Sequence, residues 1–275
     1  MELEEAFFWP NLLAHYLVRH IGAQALRDSA LCSARRASSF FSGLGTSELA
    51  WFVVGLALLR FGLEASLTCI SACENSACCR GALLRHTGGC VFGDVMDFIA
   101  TSALDPSDDF DRKFRIIMGA AVRRAAWCYR CGAQCRLIPS DIDSSGSPCQ
   151  DFSTAGLQQG RNGPRSHILL AWLRIHLVLE TAIIVLENVP TFDLELLQLV
   201  MGTLYVVIAV VCGPEHVGFR FSKRRRMYCA MVHKTKVTIL FDIVAVFQGA
   251  CLYLQQNGVT LRLHNSSYVL ILLRP

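Results

Sequence analysis

Two short stretches of the sequence contain side chains of the types that carry out covalent catalysis. Cys149 follows Pro148 in the loop GSPCQDFSTAG, where the proline restricts the backbone and the cysteine offers a strong sulfur nucleophile. Glu187 and Asn188 end the apolar run AIIVLENVP, where a carboxyl group can exchange hydrogen bonds with a heterocycle. Each residue taken singly fits a structural role equally well, so the pattern must be judged together with its surroundings.

A glycine-containing loop and two acids earlier in the chain have the features of a nucleotide site. Phe41, Gly43 and Gly45 lie in FSGLG, where glycines let the backbone approach a ligand at the amino terminus of a helix. Glu74 ends the next apolar run and can accept both ribose hydroxyls, and Asp94 can accept an adenine amino group. The structural alternatives are an ordinary tight turn, a helix-capping acid and an N-cap aspartate.

The order of apolar runs predicts elements that would bring these residues together. Strand character is found in ASSFFSGLG, LTCISACE and AIIVLENVP, and helical patterns cover 47–62, 108–131 and 165–180. Strands that alternate with long helices predict an α/β fold, a mostly parallel sheet flanked by helices, and ligands bind at the carboxyl ends of such strands. The turn-rich stretch 139–148 is predicted to be a loop, and DFS after Cys149 to begin a helix.

Composition sets limits on the class of protein. The 275 residues are 53% hydrophobic and 17% charged, which suits one sizeable α/β domain and argues against global disorder. A net charge of +4 permits a polyanionic partner without requiring one. The acidic start MELEEAFFWP does not resemble a signal peptide, and no uninterrupted apolar run reaches the ~20 residues of a membrane span. We expect no membrane partner and a reducing location, the nucleus or cytoplasm; the apolar stretch 194–213 is predicted to be a helix followed by a buried strand.

Three of the 13 cysteines have a spacing found among metal ligands. These are Cys128, Cys131 and Cys135 in CYRCGAQC. No second Cys/His pair stands at the distance expected to complete a tetrahedral set, so buried thiols within a helix are favoured and no metal site is predicted.

Taken in order, the motifs resemble those of the cytosine-C5 DNA methyltransferase family, which uses S-adenosylmethionine. The matching stretches are FSGLG, SACE, VFGD, GSPCQDFSTAGLQQGRNGPRS, VLENV and SKRRRMY. The resemblance implies a Rossmann-like methyltransferase domain over 36–236, after a helical segment at 1–35. The apolar segment 237–275 is predicted to be short, truncated or divergent, with a few strands, a hairpin at Asn257-Gly258 and no clear target-recognition domain.

The resemblance also implies a role for each candidate residue. Cys149 would be the nucleophile, Glu187 would contact the ring nitrogen and exocyclic amine of cytosine, and Asn188 would hold the cysteine loop. Arg226 would reach the base carbonyl oxygen, and Arg224 a neighbouring group or phosphate. The implied catalytic residues are therefore Cys149, Glu187, Asn188 and Arg226, the cofactor-binding residues Phe41, Gly43, Gly45, Glu74 and Asp94, and the substrate-binding residues Gln150, Ser153, Arg165 and Arg224.

Three functions follow from the resemblance. The first is transfer of a methyl group from S-adenosylmethionine to C5 of cytosine in DNA, through a covalent adduct of cysteine with C6 of a flipped base. The others are the same reaction on RNA, as on transfer RNA, and a non-catalytic module that binds cofactor or nucleic acid. The basic stretch 220–226, with Lys234 and Lys236, could contact phosphates or be a solvated charge run. A protein partner could supply target recognition.

Overall fold

A computed structural model gives the fold of the chain. The structure describes residues 9–29, 32, 34, 36–65, 67–101, 103–105, 107–153, 156, 158–217 and 223–257.

Helices and strands alternate through most of this part of the chain. In chain order they are α1 (Trp9–Ile21), α2 (Ala23–Arg27), β1 (Arg36–Phe40), α3 (Thr46–Leu59), β2 (Thr68–Cys73), α4 (Ala77–His86), β3 (Cys90–Phe92), β4 (Ile99–Ala100), α5 (Phe110–Gly119), β5 (Ala121–Val122), β6 (Ala125–Cys128), β7 (Ala133–Arg136), β8 (Ile142–Ser145), α6 (Ser166–Leu179), β9 (Ile183–Asn188), α7 (Leu194–Met201), β10 (Tyr205–Cys212), β11 (Arg226–His233) and α8 (Ile243–Asn257). Short 3-10 helices cover Val95–Phe98, Gly160–Asn162 and Pro214–Val217.

The described strands form one large sheet and one small ribbon. The large sheet has nine strands in the order β10-β11-β9-β8-β1-β2-β3-β6-β7, and β4 pairs with β5. The five central strands, from β9 to β3, are parallel, and the outer strands pair antiparallel. The predicted fold class, a mostly parallel sheet flanked by helices, is therefore confirmed, and the carboxyl ends of the five central strands lie at one edge.

Helix α6 forms the centre of the main core. Its sequence SHILLAWLRIHLVL is apolar on most of its circumference, as expected of a helix buried on several sides. Trp172 and His176 pack edge to face, and His176 packs in the same way on Phe40 of β1. These contacts fix α6 against the strand that leads into the glycine loop.

The central strand β8 lies inside the stretch predicted to be a loop, so that prediction is wrong. The side chain of Asp143 is fully buried in β8, which a sequence rich in Ser and Asp does not suggest. Its Oδ2 accepts a hydrogen bond from Ser38 of β1 at 2.6 Å, and its Oδ1 accepts one from Ser145 at 2.5 Å. His176 Nε2 is 3.3 Å from Oδ1, and Trp172 Nε1 donates to Ser145. Both carboxylate oxygens of Asp143 therefore accept a hydrogen bond, which offsets the cost of burying the charge in this strand.

Two other predicted elements differ from the structure. The helix predicted for 108–131 ends at Gly119, and the strands β5 and β6 follow it. The apolar stretch after Lys236 was predicted to contain strands, but its described part contains helix α8, which packs on α1 through Tyr16 and Val246. Gly258, the second residue of the predicted hairpin, lies outside the described residues.

The remaining predicted elements agree with the structure. Strands β1, β2 and β9 and helices α3 and α6 lie where the patterns predicted them, and α7 followed by β10 occupies 194–212. Helices α1 and α2 lie within the N-terminal segment 1–35, while the domain bounds themselves remain predictions. None of the described helices has the length and apolar character that crossing a bilayer would need.

We predict that Asp143→Asn lowers the free energy of unfolding by about 3 kcal/mol, because an amide cannot accept all the hydrogen bonds that the buried carboxylate accepts. Urea denaturation followed by circular dichroism measures the change. The matched control is Asp141→Asn, which weakens a half-exposed ion pair with Arg36 and should cost less than about 1 kcal/mol. Equal losses in the two variants would contradict a special role for the buried network.

Candidate active site

The loop between β1 and α3 adopts backbone conformations that explain its glycines. Gly43 and Gly45 have φ angles of 56° and 85°, and Phe41 also lies in the left-handed region, at 57°. A Cβ atom on Gly45 would lie 2.1 Å from His86 Nε2, so a larger residue would have to move the His86 side chain. The loop therefore packs closely on the side chains of α4.

Glu74 and Asp94 lie at the ends of neighbouring strands, as predicted. Glu74 Oε2 accepts a hydrogen bond from Gly43 N at 2.8 Å, and its Oε1 accepts one from Ser76 N at 2.7 Å. Asp94 is the N-cap of the 3-10 helix and accepts from Met96 N at 2.9 Å. Each carboxylate oxygen has two acceptor positions, so these bonds leave capacity for a ligand.

One cavity brings most of the predicted cofactor and loop residues together. Its volume is about 300 Å³, within the range of small-molecule sites. The predicted residues that line it are Phe41, Glu74, Asp94, Gln150 and Arg165, together with Pro148. Gly45 instead lines a separate cavity of about 620 Å³ beside His86, and Gly43 reaches the first cavity through its bond to Glu74.

The charged side chains that line this cavity are two carboxylates, Glu74 and Asp94, and one guanidinium, Arg165. Burial raises the pKa of Cys73, which lines the cavity, well above its usual range, and the carboxylates of Asp94 and Glu74 raise it further. Burial also raises the pKa of Asp97, and Asp94 contributes to that increase. A cationic group of a ligand would be favoured beside these two carboxylates.

The loop that carries Cys149 is held by Asn188. The amide of Asn188 is buried, and its Nδ2 donates to the carbonyl oxygen of Ser147 at 3.1 Å and to its hydroxyl at 2.9 Å. Asn188 Oδ1 accepts from Val189 N, so its orientation is fixed from both ends. The carbonyl of Cys149 accepts hydrogen bonds from Phe152 and Ser153, which form a turn. The prediction that DFS begins a helix is therefore wrong, because Asp151 and Phe152 lie in a turn and the next α-helix of the described residues starts at Ser166.

Sequence reasoning missed Asp151 and Lys113, which support the far side of the loop. Asp151 is buried, and its Oδ2 accepts a hydrogen bond from the backbone N–H of Arg165 at 3.0 Å. A Cβ atom on Gly163 would lie 2.1 Å from the Asp151 carboxyl carbon, so only glycine fits there. Lys113 of α5 is 1% exposed and donates to the Gly163 carbonyl. The adjacency of an acid to the nucleophile candidate, in CQD, was the only sequence signal available.

Glu187 is paired with Arg226 across the β9–β11 ladder. Arg226 Nε lies 2.8 Å from Glu187 Oε1, and the two side chains are 21% and 38% exposed. Glu187 Oε2 lies 3.5 Å from the point where a Cβ on Gly146 would stand, so the carboxylate borders the start of the cysteine loop. Burial raises the pKa of Tyr228, opposite Glu187 in the ladder, and Glu187 raises it further. Two predicted residues thus form one charged pair beside the loop.

The structure does not gather every predicted residue at one surface. Among the described residues, neither Cys149 nor Glu187 lines the 300 Å³ cavity, although Pro148, Gln150 and Gly146 do. Arg224 is exposed, and Ser153 lies in the turn after Cys149. Lys234 donates to the Gly202 carbonyl, and Lys236 pairs with Glu180 at 3.1 Å, so both have partners within the protein. Arg220 of the basic stretch lies outside the described residues.

Comparison with known families supports the motif-based interpretation. Residues 133–196, from β7 into α7, match the family model described as C-5 cytosine-specific DNA methylase. This segment contains Cys149, Glu187 and Asn188. The resemblance drawn from the motifs is therefore confirmed for the part of the chain that carries the cysteine loop and the Glu-Asn pair.

Three solved structures that align with this chain are longer than it. S. pombe Dnmt2 methyltransferase is 15% identical with a TM-score of 0.46, and the match covers 78% of this chain and 54% of that one. Spodoptera frugiperda DNMT2 is 16% identical with a TM-score of 0.43, over 76% and 53%. The Entamoeba histolytica methyltransferase EhMeth is 14% identical with a TM-score of 0.43, over 76% and 56%. The chain spans about half the length of these structures, and no curated protein matches it.

We predict that Asn188→Ala loosens the cysteine loop, because Ser147 loses both hydrogen bonds that tie it to β9. The amides of Phe152 and Ser153 should exchange with deuterium about tenfold faster, while exchange in β9 and β11 changes little. Hydrogen–deuterium exchange with mass spectrometry measures both regions. Asn162→Ala, at an exposed position, is the control and should leave the loop unchanged. Uniform acceleration throughout the sheet would instead indicate global destabilisation.

Proposed function

We propose that this protein transfers a methyl group from S-adenosylmethionine to C5 of cytosine in DNA, through a covalent cysteine adduct on a flipped base. One observation carries the proposal: the segment that matches the C-5 cytosine-specific DNA methylase model holds the Pro-Cys loop and the Glu-Asn pair, and Asn188 bonds that loop directly. The DNA substrate is preferred because the matching family model is one of DNA methylases.

The residues of the 300 Å³ cavity fit S-adenosylmethionine. Glu74 would accept the ribose hydroxyls, and Asp94 would accept the adenine amino group from the next strand end. The cofactor carries a sulfonium cation, and the carboxylates of Glu74 and Asp94 in the cavity lining would attract that charge. When bound, it supplies an electrophilic methyl group.

Cys149 and Glu187 would activate the base from opposite sides. Cytosine C5 is a poor nucleophile while the ring is aromatic, so the Cys149 thiolate adds to C6, forming a C–S bond and making C5 enamine-like. Glu187 stabilises the charge that develops at N3 during this addition. After C5 has been methylated, loss of its proton restores the C5–C6 double bond and expels the thiolate. The ring must leave the DNA stack for either side chain to reach it.

The remaining predicted residues would orient the base and its strand. Arg226 would donate to the base carbonyl oxygen from its place beside Glu187, and Arg224, which is exposed, would meet a neighbouring group or phosphate. Gln150 and Ser153 flank the cysteine, and Arg165 lines the cavity. Asn188 acts as a positioning residue because it bonds Ser147 rather than the substrate.

Methyl transfer tests the nucleophile and the substrate together. With labelled S-adenosylmethionine, we expect the wild-type protein to label duplex DNA at C5 of cytosine. The rate of labelling by Cys149→Ala should be lower by a factor of more than about 1,000, because the covalent step is removed. The control Cys78→Ala changes an exposed thiol in α4 and should label at the wild-type rate. A duplex with 5-fluorocytosine should be trapped on Cys149, since fluorine blocks the final elimination.

Each alternative outcome of this assay has a definite meaning. Label on transfer RNA and none on DNA would replace the proposed substrate with RNA. Equal background from the wild-type protein and Cys149→Ala would favour a non-catalytic module. Label at C5 from Cys149→Ala at the wild-type rate would overturn the covalent mechanism.

Cofactor binding tests the cavity independently of turnover. We predict that Glu74→Ala weakens S-adenosylmethionine binding by about 10- to 100-fold, because hydrogen bonds to a charged acceptor are lost. Isothermal titration calorimetry measures the dissociation constants. Glu64→Ala, at an exposed position outside the cavity, is the matched control and should bind like the wild type. Unchanged affinity in Glu74→Ala would contradict the assignment of the ribose site.

A further inference from the structure

Four cysteines outside the proposed active site come together at the edge of the sheet. Cys90 starts β3, Cys128 ends β6, Cys131 lies in the turn and Cys135 lies in β7, and their Sγ atoms are all within 4.8 Å of one another. The segment with Cys128 and Cys131, which was predicted to be helical, is a β-hairpin, and Cys90 of β3 adds a fourth thiol that the sequence spacing did not identify.

The arrangement has the chemistry of a structural zinc site. A tetrahedral Zn(Cys)4 centre has Zn–S bonds of about 2.3 Å, which places its sulfur atoms about 3.8 Å apart. The four sulfurs need to move closer by no more than about 1 Å to reach that geometry. All four are free thiols, and four thiolates favour zinc over hard cations such as magnesium or calcium. We propose that Cys90, Cys128, Cys131 and Cys135 bind one zinc ion as a closed structural site.

The β6–β7 hairpin that carries three of the four cysteines has few contacts with the rest of the sheet. The β6–β7 hairpin joins the sheet through one paired position, Phe92 with Cys128, and one further bond from Tyr129 N to the Val91 carbonyl. Most of β7 is exposed and in β6 only Ala126 and Cys128 are buried, and an isolated two-stranded hairpin is marginally stable by itself. A zinc ion shared by Cys90 and the three hairpin cysteines would fasten the hairpin to β3, since metal binding contributes directly to folding free energy.

The same hairpin contacts the strand end that carries Asp94. A Cβ atom on Gly93 would lie 3.2 Å from the Tyr129 ring, and the Arg80 guanidinium stands 4.2 Å above that ring. Arg130, which lies between Cys128 and Cys131 in the sequence, donates to the Thr87 and Gly89 carbonyls at 2.6 and 2.7 Å. Zinc would therefore also support the adenine side of the cavity, although the metal site itself does not depend on the proposed methyl transfer.

Metal content of the full-length chain tests this proposal without any activity assay. Purified without chelator and analysed by inductively coupled plasma mass spectrometry, the wild type should contain about one zinc per chain. Cys131→Ser should contain less than about 0.2, because its exposed ligand is lost with little effect on packing. Cys78→Ser is the matched control, since Cys78 is also exposed but lies outside the cluster, and it should keep the full equivalent.

Cobalt substitution reports the coordination geometry even if a ligand variant folds poorly. The wild-type chain reconstituted with Co²⁺ should show the visible absorption of a tetrahedral thiolate site, and added zinc should abolish it. Several results would overturn the proposal: a wild-type chain that contains no zinc and binds none when titrated, full zinc content in Cys131→Ser, iron in place of zinc, or disulfides among the four cysteines.

Discussion

The parallel pairing of β8 between β1 and β9 is the constraint on which the rest of the structure depends. It places the glycine loop after β1, the cysteine loop after β8 and the Glu-Asn pair at the end of β9 at one edge of the sheet. The pairing requires a buried central strand that contains Asp143, a carboxylate that would be costly without partners. Ser38 of β1 and Ser145 of β8 donate hydrogen bonds to this carboxylate, and His176 of α6 lies 3.3 Å from it, so one polar cluster links β1, β8 and α6.

Hydrophobic periodicity predicted the strands and helices that bury apolar side chains, and it failed for the strand that buries polar side chains. Strands β1, β2 and β9 are recognisable because apolar runs precede their functional ends. Strand β8 reads IDSS, which has the composition of a turn, and only its three-dimensional neighbours make it a strand. In the same way, the acidic start of 108–131 predicted a helix correctly, but nothing in that pattern indicated its end at Gly119. Hydrogen bonds between residues far apart in the sequence form these elements, and hydrophobic periodicity contains no information about such bonds.

The candidate site shows the same division between local and long-range information. Motif order predicted that Glu74, Asp94 and the cysteine loop would meet, and the structure brings Glu74, Asp94 and both neighbours of Cys149 to one cavity. Local spacing did not predict that Gly45 would line a different cavity, nor that Asp151 would hold the backbone of Arg165. The cysteine cluster is the clearest case, because Cys90 reaches the hairpin cysteines only through the pairing of β3 with β6.

In the proposed reaction, Arg226 and Glu187 beside the cysteine loop would exchange their ion pair for contacts with the base. Both side chains are partly exposed, and such pairs contribute only about 0–1 kcal/mol to stability. Arg226 would therefore turn from Glu187 to the base carbonyl oxygen at little cost, and the Glu187 carboxylate borders Gly146 at the start of the cysteine loop. A cytosine presents its carbonyl oxygen, ring nitrogen and amine along one edge, so a guanidinium and a carboxylate set side by side match that edge in order. In the proposed reaction, the groups that recognise the base are the same groups that stabilise it when the sulfur adds, so binding and activation share one set of preorganised charges.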